Sequence, residues 1–522
     1  MCWPQTTKIL MANQDTVNSV KVRMYRHGFG DCFLLSFYQD EERIFTMLID
    51  CGIKYNTKSD DVPIKDVIDD LKATLTPAGG TKPQLDVLVA SHEHWDHISY
   101  FHPTRSPDYF GPFEIGQVWL AWTENPDDEE AVTINSRLRD GAAALQFAAK
   151  RLQDAQQDEI DQSEDMYFGF RLKEGRTEFN RKMDDVLGFY GVTSLKEVSE
   201  SGIEYKPDGR VSPLTEKAMS HVISLGHNGG GIKYFSPGTN VDNRLLPPGV
   251  NIYVLGPPRS SMINKSKPSR GHAHETYMSI DNSGMTSFID GVLGLGVSGG
   301  EQSNDRSSPF GDEIGIGRDE AEEDSYFAET YFASNEAYRK IEHNWLDIAG
   351  QFALQLDGAI NNTSLVLAIE LADSGKVLLF PGDAQVGSWL SWHDYEWEVR
   401  EGSSTGARTT EDLLKNTVLY KVSHHGSHNA TVKDKGLELM THPELVAMMP
   451  EKEDSYSGIP YPPLMERLNQ LCKGRVLVSA DKNFRPEKLE EERPTELSSG
   501  EWELFKHDLE VERVYVEYTV HA

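Results

Sequence analysis

The run Ser91-His92-Glu93-His94-Trp95-Asp96-His97 constrains this chain more than any other segment. It directly follows Leu85-Asp86-Val87-Leu88-Val89-Ala90, an apolar run that reads as a buried strand. Four metal-ligand side chains, His92, His94, Asp96 and His97, therefore crowd one turn at a strand's C-terminal end. Imidazole together with carboxylate suits zinc, manganese or iron. So many donors on so short a loop exceed what one tetrahedral ion takes. The spacing fits two ions side by side, with His92 and His94 on one and Asp96 and His97 on the other. A chance cluster on a solvated loop is the competing reading, and with 17 histidines in 522 residues so dense a match would arise by chance only about once in a thousand chains.

Two later segments repeat the same plan. Leu378-Leu379-Phe380-Pro381-Gly382-Asp383 is an apolar strand ending in Gly-Asp, and a carboxylate there can bridge two ions. Val418-Leu419-Tyr420-Lys421-Val422-Ser423-His424-His425-Gly426-Ser427 is another strand, ending in two histidines. Gly-Asp alone is more often a turn, and His-His alone divides evenly between ligand and surface. Three strand ends in this order can converge on one mouth of a sheet.

The flanking pattern supports a layered α/β core. Val20, Val22 and Met24 alternate as in a half-buried strand, and Cys32–Phe37 and Arg43–Ile49 form two more strands around a polar turn. Pro63–Leu71 reads as a helix with proline in its first turn, where the missing N–H costs nothing. Val118–Trp122, Asn251–Leu255, Ser364–Ile369, Lys376–Phe380, Val418–Val422, Leu445–Met449, Val476–Ser479 and Val514–Val520 read as strands. Between them, residues 125–222 are polar and helix-like, with Ala142–Ala149 the clearest helix. Glu301–Ser325 carries nine acids against two bases and reads as a mobile loop, and a helix from about Asn335 to Leu356 ends it. The expected division is a tail (1–18), a first core half (19–124), a helical insertion (125–249), a core strand (250–258), a Gly/Ser/acid-rich loop (259–345) and a second core half (346–522). Both insertions would leave strand ends and roof the site.

Composition narrows the function. The formal charge of -32 on 522 residues excludes a protein that coats nucleic acid along a broad face, because such binding needs Lys and Arg on phosphates. It leaves room for one phosphodiester at a metal centre, where the ions supply the positive charge. No apolar run reaches membrane-span length, and no secretory signal is visible near Met1; Met11 is an alternative start. Cys2, Cys32, Cys51 and Cys472 are scattered without paired spacing, which points to a reducing compartment. Cys32 and Cys51, beside apolar strands, read as small core residues. No sequence feature indicates a membrane or a protein partner.

These motifs resemble the metallo-β-lactamase fold hydrolases. The resemblance rests on the His-x-His-x-Asp-His cluster, Gly382-Asp383 and the later strand-end histidine. It is closest to the hydrolase domain of the DNA-uptake channel ComEC and its soluble relatives. Gly28-Phe29-Gly30-Asp31, Leu48-Ile49-Asp50-Cys51-Gly52, Asn361-Asn362-Thr363-Ser364-Leu365-Val366 and His424-His425-Gly426-Ser427 match motifs of that group. Together they span about 20–122 and 360–485, roughly half the chain. The resemblance implies an αββα sandwich with a long, mostly helical insertion and an acidic loop, without the membrane channel. It implies a cytoplasmic, bacterial, dinuclear hydrolase with two divalent ions, zinc first and manganese second. Its metal ligands would be His92, His94, Asp96, His97, Asp383 and His424, the resemblance favouring His424 over His425. Asp31, Asp50, Asn362 and Ser427 would support them, Asp50 by orienting the metal loop and Asp31 and Asn362 as turn-formers first. Catalysis would fall to Asp96 and Asp383, with His425 or His428 giving a proton to the leaving oxygen. Two departures stand out. No clear motif supplies a further histidine before Asp383, although His272 or His274 is available, and Gly458-Ile459-Pro460 replaces the expected Gly-His-Pro.

A metal-bridging hydroxide is the expected nucleophile. The first expectation for the substrate is a phosphodiester in a nucleotide or short single-stranded nucleic acid. The second is a small carbonyl compound such as a lactone, β-lactam or thioester. The third is a non-catalytic metal-binding scaffold, which the intact ligand set disfavours. Fold alone does not choose among them.

Overall fold

The computed structural model describes residues 16–54, 57–59, 61–103, 108–139, 141, 188–189, 214–259, 261–265, 321, 323–330, 356–398, 407–452, 459–479, 494 and 496–522. The expected helices at Ala142–Ala149 and Asn335–Leu356 (except its last residue), His272, His274 and most of the acidic loop lie outside these residues. The chain divides into two compact units. The larger comprises Met1–Asn135, Leu214–Asp281 and Gly358–Ala522 and carries every strand described below. The smaller comprises Ser136–Pro213 and Asn282–Asp357; the helix Ser325–Thr330 is its longest described element.

The larger unit is an α/β fold with two mixed sheets flanked by helices, consistent with a metallo-β-lactamase-like sandwich. In chain order, β1 (Ser19–Tyr25), β2 (Phe33–Gln39), β3 (Glu42–Ile49), β4 (Gln84–Val89), β5 (Glu114–Ala121) and β6 (Ile232–Phe235) enter the first sheet. Next, β7 (Val250–Gly256), β8 (Val366–Leu371) and β9 (Lys376–Phe380) begin the second sheet, followed by a small hairpin of β10 (Glu396–Glu398) and β11 (Ala407–Thr409). The second sheet is completed by β12 (Thr417–Lys421), β13 (Val446–Met449) and β14 (Val476–Val478). The chain then returns to the first with β15 (Leu509–Val511) and β16 (Tyr515–His521). The strand orders are β15-β16-β1-β2-β3-β4-β5-β6 and β14-β13-β12-β9-β8-β7.

Side-chain alternation explains the layers. Val20, Val22, Leu35, Met47 and Val87 from the first sheet share one apolar cluster with Ile252, Leu367, Leu378, Leu419 and Met448 from the second. The opposite face of the first sheet, through Leu34, Leu48 and Leu88, packs on Val67, Ile68 and Leu71 of the helix Ile64–Leu75. Ala218, Met219 and Val222 of the helix Leu214–Asn228 join that layer. The outer face of the second sheet, through Ala368, Leu379 and Tyr420, packs on Trp389, Leu413 and Leu464 from three helices. Strands buried on both faces lose the clean two-residue period, which is why β9, β12 and the Val87–Val89 end of β4 show no alternation.

Most elements fall where the sequence places them, within a residue or two. Pro63 stands one position earlier than expected, as the residue capping its helix rather than inside the first turn. The helix Leu214–Asn228 and β6, both within the expected insertion, contribute to the first sheet and its helical layer. β6, β10, β11 and β15 are the strands the sequence did not announce; each has three or four residues. The expected core role of Cys32 and Cys51 matches their place in the first sheet's outer layer. Among the described residues no helix is long and apolar enough to cross a membrane.

Parallel pairing puts the functional loops at common edges. β3 pairs in parallel with β4, Ile49 opposite Val89, so Asp50 and Ser91 emerge side by side. β9 pairs in parallel with β12, Leu379 opposite Tyr420, so Pro381–Asp383 and Val422–His425 emerge together. The two edges are joined where Leu365 N–H donates to the Ser91 carbonyl at 2.9 Å.

Candidate metal centre

The loop after β4 turns into a single helical turn, Trp95–Ile98, which buries Asp96 and His97 completely. It packs with almost no side chain between it and its neighbours. A Cβ on Gly52 would stand 2.4 Å from the Asp96 carbonyl carbon and the His97 nitrogen. A Cβ on Gly30 would stand 2.4 Å from the Gly52 oxygen. Backbone hydrogen bonds knit the same three loops: Asp31 N–H to the Asp96 carbonyl at 3.0 Å, and Cys51 N–H to the His97 carbonyl at 2.8 Å. The Gly-x-Gly-Asp and Asp-x-Gly motifs thus act as bedding for the metal loop.

Two clusters of buried His and Asp atoms are compact enough to hold a cation: Asp96, His97, Asp383 and His425, and Asp31, Asp50 and His97. In the first, His97 Nε2 lies 3.1 Å from Asp383 Oδ2 and 3.8 Å from Asp96 Oδ2. His425 Nε2 lies 3.3 Å from the same Asp96 oxygen. Donors around a tetrahedral zinc with bonds of ~2.0–2.1 Å are about 3.3 Å apart, so this spacing fits one ion. Asp96 Oδ1, His97 Nε2 and Asp383 Oδ2 are buried without hydrogen-bond partners. Such atoms are costly unless something else satisfies them.

Outer partners set which nitrogen each imidazole presents. His97 Nδ1 is 2.8 Å from Asp50 Oδ2, an acceptor, so Nδ1 carries the proton and the Nε2 lone pair is left for a cation. His425 repeats the arrangement, Nδ1–H donating to the Pro450 carbonyl at 2.7 Å. Asp50 is itself fixed by Ser91, whose N–H and hydroxyl both donate to it at 2.7 Å. Phe29 packs on the His425 ring with centroids 4.0 Å apart.

The remaining expected residues fall close by. His92 Nε2 is 3.1 Å from His94 Nδ1, so the two rings can share an ion, although neither joins the four-residue cluster. His424 Nε2 is 4.0 Å from Asp383 Oδ2 and its Nδ1 is 3.5 Å from the Gln385 amide nitrogen. His424 and His425 both have left-handed backbones, with φ of 45° and 51°. Asn362 braces the loop after Asp383, its carbonyl oxygen accepting from Gln385 N–H at 3.0 Å and Ser388 N–H at 3.3 Å. Ser364 Oγ accepts from Asp383 N–H at 3.1 Å. The Ser427 hydroxyl donates to Asn429 at 2.9 Å, a local turn contact. His428 is half-buried, 6.1 Å from the Tyr461 ring.

Charge makes the strongest case for a cation. Asp31, Asp50, Asp96 and Asp383 are all at most 2% exposed, and the one ammonium among them is that of Lys421. Four carboxyl groups thus meet a single ammonium, so acid outnumbers base before any imidazole counts, even though burial pushes the Asp31 carboxyl upward against the pull of Lys421. Burial opposes a charge on His97, yet Asp383, Asp31, Asp96 and Asp50 outweigh it and push its proton affinity well above the ordinary range. Burial likewise favours neutral Asp383, but His97, Lys421 and His424 hold it well below the usual carboxylate range. His94, which burial pushes down to about 4, stays neutral, as a ligand must, and His424 is pushed down to the same value. The centre therefore draws positive charge wherever it can, and divalent ions fit that demand.

Lys421 was not singled out from the sequence. It reads as an ordinary strand residue, and only its burial and its contacts reveal it. Gln385 and Ser91 were also missed; their signal was position, immediately beyond the Asp383 motif and before the His92 motif. No model of a known protein family matches the chain, and no curated protein matches it. The site rests on its own geometry, which is that of a metallo-hydrolase-like fold with candidate dinuclear His/Asp clusters.

Proposed function

We propose that this chain is a dinuclear metal-dependent phosphodiesterase acting on nucleotides or short single strands. The carrying observation is the buried group Asp96, His97, Asp383 and His425, whose unsatisfied atoms and surplus negative charge call for divalent cations. In this reading Asp96, His97, Asp383 and His425 would hold one ion, and His92 and His94, whose ring nitrogens lie 3.1 Å apart, would help to hold a second beside it. His425 is then a ligand and His424 a flanking residue, the reverse of the expected division, because His425 Nε2 is the nitrogen within 3.3 Å of Asp96. Zinc or manganese suits these nitrogen and oxygen donors. When bound, such ions activate water and stabilise charge on a phosphoryl oxygen. Asp50 and the Pro450 carbonyl orient the two imidazoles, and His428, the remaining acid the sequence offers, would give a proton to the leaving oxygen.

The phosphodiester class is supported by the resemblance of Gly28–Asp31, Asn361–Val366 and His424–Ser427 to the ComEC-type motifs. The acidic chain supports short substrates over long duplexes, and added salt should narrow that difference. Purified protein with manganese or zinc should cleave bis-p-nitrophenyl phosphate and short single-stranded DNA. Chelation, or His97→Ala, should abolish this. Metal-loaded protein that spares every phosphodiester but opens a lactone or a β-lactam reporter would replace this reading with carbonyl hydrolysis. Loaded protein inert on all three would favour a scaffold.

A further inference from the structure

Lys421 is the last residue of β12, and it is 1% exposed. Its Nζ lies 2.5 Å from Asp31 Oδ2 and 3.2 Å from Asp383 Oδ1, and it donates to the Gly382 carbonyl at 2.9 Å. An ammonium has three protons, and these three oxygens account for all of them. The contacts tie together three loops: the turn after Gly30, the end of β9 and the end of β12. They also divide the Asp383 carboxylate. Oδ1 faces Lys421, while Oδ2 faces His97 Nε2 at 3.1 Å and has no hydrogen-bond partner.

We infer that Lys421 is a positioning residue that occupies Asp383 Oδ1 and leaves Oδ2 as the single oxygen through which Asp383 meets the metal ions. The inference rests on the metal-hydrolase reading above. Two physical effects pull in opposite directions here, which makes the role separable. As a mere positive charge, Lys421 repels a divalent cation, so its removal would tighten metal binding. As an anchor, it fixes the carboxylate rotation, so its removal frees Asp383 to turn and to chelate with both oxygens. It also anchors Asp31 Oδ2, 3.6 Å from His97 Nδ1, and so keeps that carboxylate from competing with Asp50 for the imidazole. Partners of this kind typically change metal affinity by about 10–100-fold.

The test uses full-length protein loaded with cobalt(II) as a spectroscopic probe and zinc in competition with a chelator. Lys421→Met should weaken zinc binding by about 10–100-fold and alter the visible ligand-field bands of the cobalt protein. Asp31→Asn, which loosens the ammonium's other anchor, should move both readouts in the same direction by less. The double variant should be no worse than Lys421→Met alone, because the two residues act through one contact. Unchanged bands with equal or tighter zinc binding in Lys421→Met would overturn the positioning role and leave only a charge effect. If Lys421→Met does not fold, Asp31→Asn decides: wild-type bands and affinity in that variant overturn the inference. Wild-type protein that takes up no metal overturns the hydrolase reading and this inference together, whereas loaded wild type with indifferent variants overturns the Lys421 role alone.

Discussion

His97 Nε2 and Asp383 Oδ2 stand 3.1 Å apart, yet they share no hydrogen bond. Their chain separation of nearly three hundred residues is closed by the parallel edges of two different sheets. Two buried polar atoms so close, with no other hydrogen-bond partner, are arranged for a common third one. Protein purified without chelators should therefore carry about two divalent ions per chain, as elemental analysis reads directly. Asp383→Asn should lower affinity by more than 100-fold, since it weakens a ligand of the four-residue cluster. Full metal content in that variant would remove Asp383 from the ligand set.

The two adjacent histidines should separate cleanly. His425→Ala is expected to lose metal, because His425 Nε2 sits in the cluster with its Nδ1 fixed by Pro450. His424→Ala should retain metal and lose less than tenfold in affinity. Metal retention by dialysis against a weak chelator checks both, and the opposite pattern restores His424 as the ligand.

In the proposed arrangement Asp50 would stand behind the ions, and its contact with His97 Nδ1 decides which nitrogen that ring offers. Asp50→Asn should cost about 10–100-fold in metal affinity while the protein stays folded. Zinc competition with a fluorescent chelator measures it; wild-type affinity would remove Asp50 from the centre's support.

Gly52 has no room for even a methyl group. Gly52→Ala should destabilise the protein by about 1–3 kcal/mol or more, read by urea unfolding, because the added carbon would displace the Asp96–His97 backbone. Metal binding should fall with it. A neutral substitution would mean that the metal loop yields easily.

Acid sensitivity should trace in part to His27. Its Nε2–H donates to the Gly52 carbonyl at 2.7 Å, and burial pushes its proton affinity down to about 4. The unfolded chain binds that proton from about pH 6.5 downward, whereas the folded chain resists until about 4. The stability is therefore whole above about pH 6.5 and is lost as the pH falls toward 4, by up to roughly 3 kcal/mol. In metal-free protein, His27→Gln should flatten this limb of the urea stability curve. An identical pH slope in both proteins would exclude His27.

The cluster at His92–His97 and the strand ends at Asp383 and His424–His425 were legible because ligand chemistry and strand periodicity coincide there. Strands β4, β9 and β12 end where their apolar runs end, and parallel pairing does the rest. The choice between His424 and His425 was not legible. Both lie in the left-handed region, where strand alternation no longer says which way a side chain points. Lys421 was hidden for the opposite reason. It lies within a regular strand, and a lysine there reads as solvated until Asp31 and Asp383 are seen to close on it. Short strands such as β6 and β15 carry too few residues for any period to show.

The contact between Asp96 and His425 spans 329 positions of the chain. At a synthesis rate of about 5–20 residues per second, the metal loop waits roughly 15–65 s for its partner histidine to be made. During that interval His92, His94, Asp96 and His97 exist as an incomplete chelator beside a half-built sandwich. An ion captured then would be held by the loop alone, without Asp383 or His425. On the proposed reading, a complete site could form only after the second half of the chain has docked. Metal supplied after that docking would then matter more than metal present during early synthesis.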